Sequence, residues 1–326
     1  MSWFDKFQSL FLLAAMVVGL VLGQIAAIAA RASWLITPAL VLLLVGVFLH
    51  IPFRDFALGL RNARFTGLNL ALNFVWTPVF AWALGAVFLR DQPDLWVGLI
   101  MLLVTPCTDW YLVFTNVARG NVALASTQLP WHLGLQLVLL PVYLFLFAGT
   151  LVPVDVRALL DSLALVLVLP LTVATILRFV TTRLRGPGWL DRTWLPRVAQ
   201  LQVLLLCVAV AAMFASQGRL LLDEIDLVVK LMPPLALFYL SSFLLARACS
   251  RLARFDTPTS IGLCFATLAR NSPMSLAIAV TVFPDRPVIA LALAIEPLVE
   301  LPVLAATAQI LKRRGAERVA GRAAPS

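Results

Sequence analysis

The chain alternates between long apolar segments and short stretches that hold most of its charged residues. Each apolar segment is close to the length of about 20 residues that an α-helix needs to cross the hydrocarbon core of a bilayer. The pattern predicts an all-α polytopic membrane protein with ten transmembrane helices. We place them roughly at residues 8–30, 34–51, 67–89, 95–117, 121–149, 157–180, 196–217, 227–247, 257–283 and 287–311.

The basic residues give this arrangement an orientation. Ten crossings put both termini on one side, and 18 of the 25 Lys and Arg residues then fall on that side, six on the other and one, Arg270, inside a helix. Because basic loops remain in the cytoplasm, we expect a multi-pass protein of the inner cell membrane with both termini cytoplasmic. Residues 312–326 form a basic cytoplasmic tail in this interpretation.

Composition and the absence of common motifs limit the classes of function that this chain could have. The chain is 62% hydrophobic and 13% charged, which predicts a single transmembrane domain in contact with membrane lipid. The few polar residues inside its predicted helices indicate that this domain, residues 1–326, is a transporter domain. The net charge of +9 is spread over loops, so we expect no nucleic-acid partner. The sequence has no phosphate-binding loop, zinc-protease pair or nucleophile elbow. We therefore expect transport driven by an ion gradient, with no enzymatic activity, cofactor or structural metal.

The ten predicted helices divide into two groups of five, at about residues 8–149 and 157–311. Because five is odd, a second copy of a five-helix unit would enter the membrane from the opposite face and form an inverted repeat. Internal sequence symmetry is weak. However, Cys107 and Asn271, each near a proline, are 164 residues apart, and so are Gln136 and Glu300.

Four charged residues lie well inside predicted helices: Asp109, Arg270, Glu296 and Glu300. Each would cost at least about 2.5 kcal/mol if it faced lipid at the centre of the bilayer. We predict that Asp109 and Arg270 form an ion pair. Glu296 and Glu300 are one helical turn apart, which favours one proton or cation between them. The four charges sum to −2 when ionised, so a coupling ion, a proton or sodium, is expected.

Two prolines stand among polar residues inside predicted helices. Pro106 lies in Thr105-Pro106-Cys107-Thr108-Asp109, and Pro273 follows Arg270-Asn271-Ser272. Since proline removes a helix hydrogen bond, we predict that the fourth and ninth helices are broken there and that their ends form the transport site. The alternative is that both prolines only kink helices and that Arg270 pairs with a carboxylate for structural reasons.

Two further residues have two interpretations each. Cys107 could be a functional thiol or a small buried hydrophobic residue, which is the usual role of a cysteine outside disulfides. His132 could relay protons or could be an interior hydrogen-bonding group.

The motifs Pro106-Cys107-Thr108 and Pro297-Leu298-Val299-Glu300-Leu301-Pro302 resemble those of the arsenite efflux permeases in the bile acid:sodium symporter superfamily. The resemblance implies two inverted five-helix repeats whose fourth and ninth helices are broken and cross each other. It also implies that Cys107 and Glu300 are the functional pair. Thr108 and Asp109 adjoin Cys107 and complete the predicted substrate site.

The resemblance also has a sodium-coupled branch, which implies that Asn271, Gln136, Glu296 and Glu300 coordinate sodium. The chain departs from the arsenite permeases at Asp109-Trp110 and at Arg270 with Ser272-Pro273. Two functions follow. The first is efflux of arsenite, a small inorganic oxyacid, or of a related metalloid in exchange for protons; the alternative is sodium-coupled uptake of an organic anion. A membrane receptor or assembly subunit would lack the two broken helices.

Overall fold

A computed structural model describes residues 3–49, 61–108, 110–152, 157, 161, 164, 168–186, 188–223 and 225–323. This part of the chain contains twelve helices, which account for most of its residues, and no strand. The all-α prediction is therefore confirmed. They are α1 (Trp3–Leu22), α2 (Ala26–Leu49), α3 (Ala63–Phe88), α4 (Pro93–Leu103), α5 (Trp110–Val117), α6 (Val122–Phe147), α7 (Leu169–Arg185), α8 (Leu195–Asp223), α9 (Ile225–Leu252), α10 (Thr257–Leu268), α11 (Ser272–Val282) and α12 (Pro287–Ala323).

Six of these helices are long and apolar enough to cross a membrane: α2, α3, α6, α8, α9 and α12. Helices α4 and α11 and the second half of α1 are apolar but shorter. The fourth and ninth predicted helices are each divided in two, into α4 with α5 and α10 with α11. The total of ten crossings stays a prediction, because part of the sixth predicted helix lies outside the described residues.

The distribution of polarity is that of a protein surrounded by lipid. Large apolar side chains such as Trp34, Val87 and Leu184 are mostly exposed, while polar side chains such as Asn73 and Gln136 are completely buried. A lipid-facing surface has no need of polar groups, and buried polar groups need partners. The fold therefore places its hydrogen-bonding side chains inside.

Helix α3 shows how local sequence creates this interior. Residues Leu72–Trp76 form a π-helical turn just before Pro78. Proline has no N–H group, so it cannot donate to the carbonyl of Phe74, four residues earlier. The Tyr143 hydroxyl of α6 donates to that carbonyl instead, at 2.6 Å. The hydrogen bond from Tyr143 connects α6 to the π-helical turn of α3. Asn73 lies in that turn and is buried in the protein interior.

Helices α4 and α12 pack closely where Gly98 faces Ile289 and Ala292. A Cβ atom on Gly98 would lie 2.8 Å from the Ala292 Cβ and 3.0 Å from the Ile289 carbonyl oxygen. By contrast, a Cβ on Gly67 of α3 would meet no atom within 4 Å. Close approach at Gly98 thus fixes the spacing between the helix that precedes Cys107 and the helix that carries both glutamates.

We expect Gly98→Val to destabilise the fold by about 1–3 kcal/mol, the usual cost of overpacking a tight interior. Gly67→Val changes the same residue type in open space and should leave the melting temperature close to that of the wild type. Thermal melts of both purified variants in one detergent measure the difference. Equal melting temperatures would contradict the close packing of α4 on α12.

Candidate functional site

The two helix breaks face each other in the interior. Helix α4 ends at Leu103 and α5 begins at Trp110, while α10 ends at Leu268 and α11 begins at Ser272. An antiparallel bridge joins Pro106 to Arg270 across the breaks. We call this junction, residues 104–108 and 269–271, the crossover. Pro106 lies within its break, whereas Pro273 lies in the first turn of α11, where a missing N–H costs no hydrogen bond.

Backbone hydrogen bonds connect the two unwound segments. The Cys107 N–H donates to the Ala269 carbonyl at 3.0 Å, and the Asn271 N–H donates to the Thr105 carbonyl at 2.8 Å. The hydroxyls of Thr105 and Ser275 are 2.6 Å apart and add a side-chain bond. Each unwound segment therefore satisfies polar groups of the other, as backbone outside a helix requires inside a membrane.

In each broken pair, a side chain of the unwound segment accepts a backbone N–H at the start of the second helix. The sulfur of Cys107 accepts the Trp110 N–H at 3.3 Å, and the Oδ1 of Asn271 accepts the Met274 N–H at 3.3 Å. Both acceptors bond the N–H three residues later. Asn271 does so as the N-cap of α11, whereas Cys107 bonds the first residue of α5. Cys107 and Asn271 are also the pair that sequence spacing singled out. Cys107 therefore has a definite structural position at the start of α5.

Arg270 is the largest buried polar side chain at the crossover, with 1% of its surface exposed. Its guanidinium donates to the Leu103 carbonyl at 2.7 Å and the Asn73 Oδ1 at 2.8 Å, and also to the carbonyls of Thr267 and Leu268. Three of these acceptors are carbonyls from the last turns of α4 and α10. The positive charge thus lies at the negative ends of two helix dipoles.

The two predicted glutamates are both buried beside the crossover. Glu300 accepts the backbone N–H of Arg270 at 2.6 Å through Oε1. Glu296 accepts the Tyr239 hydroxyl at 2.5 Å through Oε1. Its Oε2 has no hydrogen bond of ordinary geometry among the described residues, although Ser272 approaches the same carboxylate. The carboxylates therefore have few donors for the number of lone pairs they carry.

A chain of amides leads away from Arg270 into the contact between α3 and α6. Asn73 donates to the Asn69 Oδ1 at 2.9 Å, and Asn69 donates to the Nε2 of His132 at 2.7 Å. Since Nε2 accepts, the proton of the neutral ring resides on Nδ1, which bonds the Cys107 carbonyl at 3.2 Å. His132 is therefore an interior hydrogen-bonding group that supports the backbone of the crossover.

The structure brings together Cys107, Arg270, Asn271 and Glu300, four of the residues chosen from the sequence. Thr108 is buried in the same segment. Gln136 is also buried, and neither atom of its amide has a partner among the described residues. Asp109 lies outside those residues, so its pairing with Arg270 stays a prediction. Among the described residues, the guanidinium donates its hydrogen bonds to uncharged oxygens.

Sequence reasoning missed three polar residues of the site: Asn69, Asn73 and Tyr239. A signal existed for the two asparagines, because they are four residues apart in an otherwise apolar segment and so share one helix face. Tyr239 was not recognised, since an aromatic ring suits an apolar helix and only the structure shows the partner of its hydroxyl. Among the described residues no group of three or more His, Cys, Asp or Glu could hold a metal ion.

Proteins from two bacteria and a plant are similar to most of the chain. It is 24% identical to the arsenical-resistance protein Acr3 of Corynebacterium glutamicum over 307 residues, which cover 86% of this chain and 81% of that protein. It is 28% identical to the probable sodium/metabolite cotransporter BASS2, chloroplastic, of Oryza sativa subsp. japonica over 232 residues, 69% of this chain and 52% of that protein. The uncharacterized protein YbaS of Bacillus subtilis is 25% identical over 254 residues, 74% of this chain and 79% of that protein.

A family model supplies the assignment that these distant similarities leave open. The model of the Sodium Bile acid symporter family matches residues 37–224. The match covers more than half of the chain and includes the first half of the crossover. This chain belongs to the Sodium Bile acid symporter family.

Proposed function

We propose that this member of a transporter family exports arsenite or a related metalloid in exchange for protons, with Cys107 and Glu300 at the centre of the site. The observation that carries the proposal is the crossover itself. Cys107 bonds the Ala269 carbonyl, and the next residue, Arg270, bonds Glu300 through its backbone N–H. A thiol and a carboxylate are thus held by one short piece of unwound backbone. The similarity to an arsenical-resistance protein supports the same cargo.

The chemistry suits a metalloid. Trivalent arsenic is a soft centre that prefers sulfur ligands, so the thiol of Cys107 would bind it directly: an As–S bond replaces one As–OH bond, and the hydroxyl leaves with the thiol proton as water. Hydrolysis of the As–S bond would release the substrate. A single thiol would hold it loosely enough for release, whereas several would trap it. Glu300 is a buried carboxylate that would exchange a proton as the substrate leaves. Thr108 adjoins Cys107 and would line the same site.

The transport cycle we propose uses an inverted repeat of two five-helix units. The Cys107–Ala269 and Asn271–Thr105 hydrogen bonds support it, because a shift of 164 residues converts each bond into the other. The two side-chain hydrogen bonds follow the same shift. The repeat would place the crossover near the middle of the bilayer, in an inner-membrane protein with cytoplasmic termini.

Sodium-coupled uptake of an organic anion is the second candidate. The similarity to a sodium/metabolite cotransporter favours it, and so does the buried amide of Gln136, which has no partner in the part of the chain that the structure describes. Oxygen ligands from Asn271, Gln136, Glu296 and Glu300 would suit a hard cation. This function requires sodium-dependent accumulation of an organic anion that is lost in Asn271→Ala. Accumulation that does not respond to sodium would exclude it.

Expression in an arsenite-hypersensitive host tests the cargo. The wild type should restore growth on arsenite and lower cellular arsenic. Cys107→Ser should reduce the initial rate of efflux at least about ten-fold, because the loss of a residue that only supports a metal ligand already has an effect of that size. Cys249→Ser makes the same substitution near the end of α9 and should retain full efflux. No protection by the wild type would overturn the exporter function.

The role of Glu300 can be separated from the role of Cys107 in everted vesicles. Glutamine keeps an oxygen that can accept the Arg270 N–H, but it cannot exchange a proton. Glu300→Gln should therefore lose arsenite uptake driven by a pH gradient and retain exchange of arsenite down its own gradient. Asp256→Asn, at the exposed N-cap of α10, should keep both activities. Undiminished pH-driven uptake in Glu300→Gln would exclude this carboxylate as the proton carrier.

A further inference from the structure

We infer that Arg270 is a built-in cation that occupies the oxygen-lined centre of the crossover and makes this transporter independent of sodium at that point. The inference extends the proposed function, because it names the ion that the site does not use. It starts from the partners of the guanidinium. Among the described residues, its four hydrogen bonds all go to uncharged oxygens: three main-chain carbonyls and the Asn73 Oδ1.

These acceptors are the kind of ligand that a hard metal cation takes. Carbonyl and amide oxygens at helix C-termini coordinate sodium in transporters with discontinuous helices. Here the oxygens of Leu103, Thr267 and Asn73 converge on a guanidinium that is joined to the chain. A bound ion at the same place would have to displace it and leave a buried arginine without partners, which is costly.

The surroundings are shaped for a planar cation. The Phe238 ring lies against the guanidinium, with the arginine Cζ 5.1 Å from the ring centroid. An aromatic face attracts a cation and supplies no coordinating oxygen. Four of the five N–H donors of the guanidinium are already used by the protein. Arg270 therefore has little capacity left to bind a substrate anion and acts as a fixed charge.

The fixed charge also changes the ion requirement of the glutamates. Asp109 lies outside the described residues; of the charged residues described here, Glu296 and Glu300 would together carry −2 when ionised, and Arg270 reduces that sum to −1. One proton then neutralises the group formed by these three described residues. Without Arg270, a second positive charge would be needed, and the vacated oxygens would provide a site for it. Removing the arginine should therefore create a sodium requirement that the wild type lacks.

The experiment measures sodium binding to the purified full-length protein through its melting temperature. Melts are recorded in sodium chloride and in choline chloride at equal ionic strength. The wild type should melt at the same temperature in both, while Arg270→Ser should show a saturable rise of a few degrees in sodium, since a ligand that binds the folded state stabilises it. Arg270→Lys keeps the charge and should behave as the wild type does.

Two matched variants locate the effect. Arg247→Ser removes an arginine whose partner is the Ser260 hydroxyl, at 3.2 Å, away from the crossover, and should stay insensitive to sodium. Adding Glu300→Gln to Arg270→Ser removes one negative charge and should weaken the sodium response. Sodium stabilisation of the wild type, or a folded Arg270→Ser without any response, would overturn the inference.

The sodium measurement does not depend on which substrate the protein transports. If the chain gives no protection against arsenite, the exporter function fails while the sodium measurement still decides the role of Arg270. If Arg270→Ser does not fold, the wild type and Arg270→Lys decide it together. Insensitivity of both supports a built-in cation, and a sodium response in either contradicts it.

Discussion

The structure depends on how two interrupted helices provide hydrogen-bond partners for their backbone groups inside an apolar environment. Each break frees N–H and C=O groups that water cannot reach. The crossover meets this constraint by pairing one unwound segment with the other, at Cys107 with Ala269 and at Asn271 with Thr105. Neither break could exist alone at this depth without leaving polar groups unpaired. The site is therefore a property of both halves of the chain.

The electrostatics of the site follow from the same geometry. Where α4 and α10 end, carbonyl groups converge and favour a positive charge. Arg270 supplies that charge, and its own backbone N–H supports the carboxylate of Glu300. One residue thus contributes to a cationic and an anionic part of the site. The amides of Asn73 and Asn69 then connect the cation to His132, which bonds the Cys107 carbonyl. A substitution at any of these residues would remove a hydrogen bond on which its neighbour in this network depends.

The sequence was sufficient to predict the helical class and the breaks, because apolar length and proline are strong local signals. It also singled out Arg270, Asn271 and Glu300, since charged or polar groups in apolar helices are costly and must face an interior. Cys107 was singled out by its 164-residue spacing from Asn271 and by the resemblance of its motif. It could not identify the partners of Arg270. Those are main-chain carbonyls, which every residue carries, so no residue type marks them. The exact start of α11 was also hidden: Pro273 is inside its first turn, not in the break.

The position of Cys107 explains why a cysteine at this place could do more than bind a ligand. Its backbone holds the partner segment, while its sulfur accepts the N–H of Trp110, the first residue of α5. On the proposed function, a metalloid bound to that sulfur would draw electron density away from that hydrogen bond and weaken the first turn of α5. The cross-segment bond through the main chain would remain, because it does not use the sulfur. Substrate binding would therefore loosen one half-helix while the centre of the crossover stays joined.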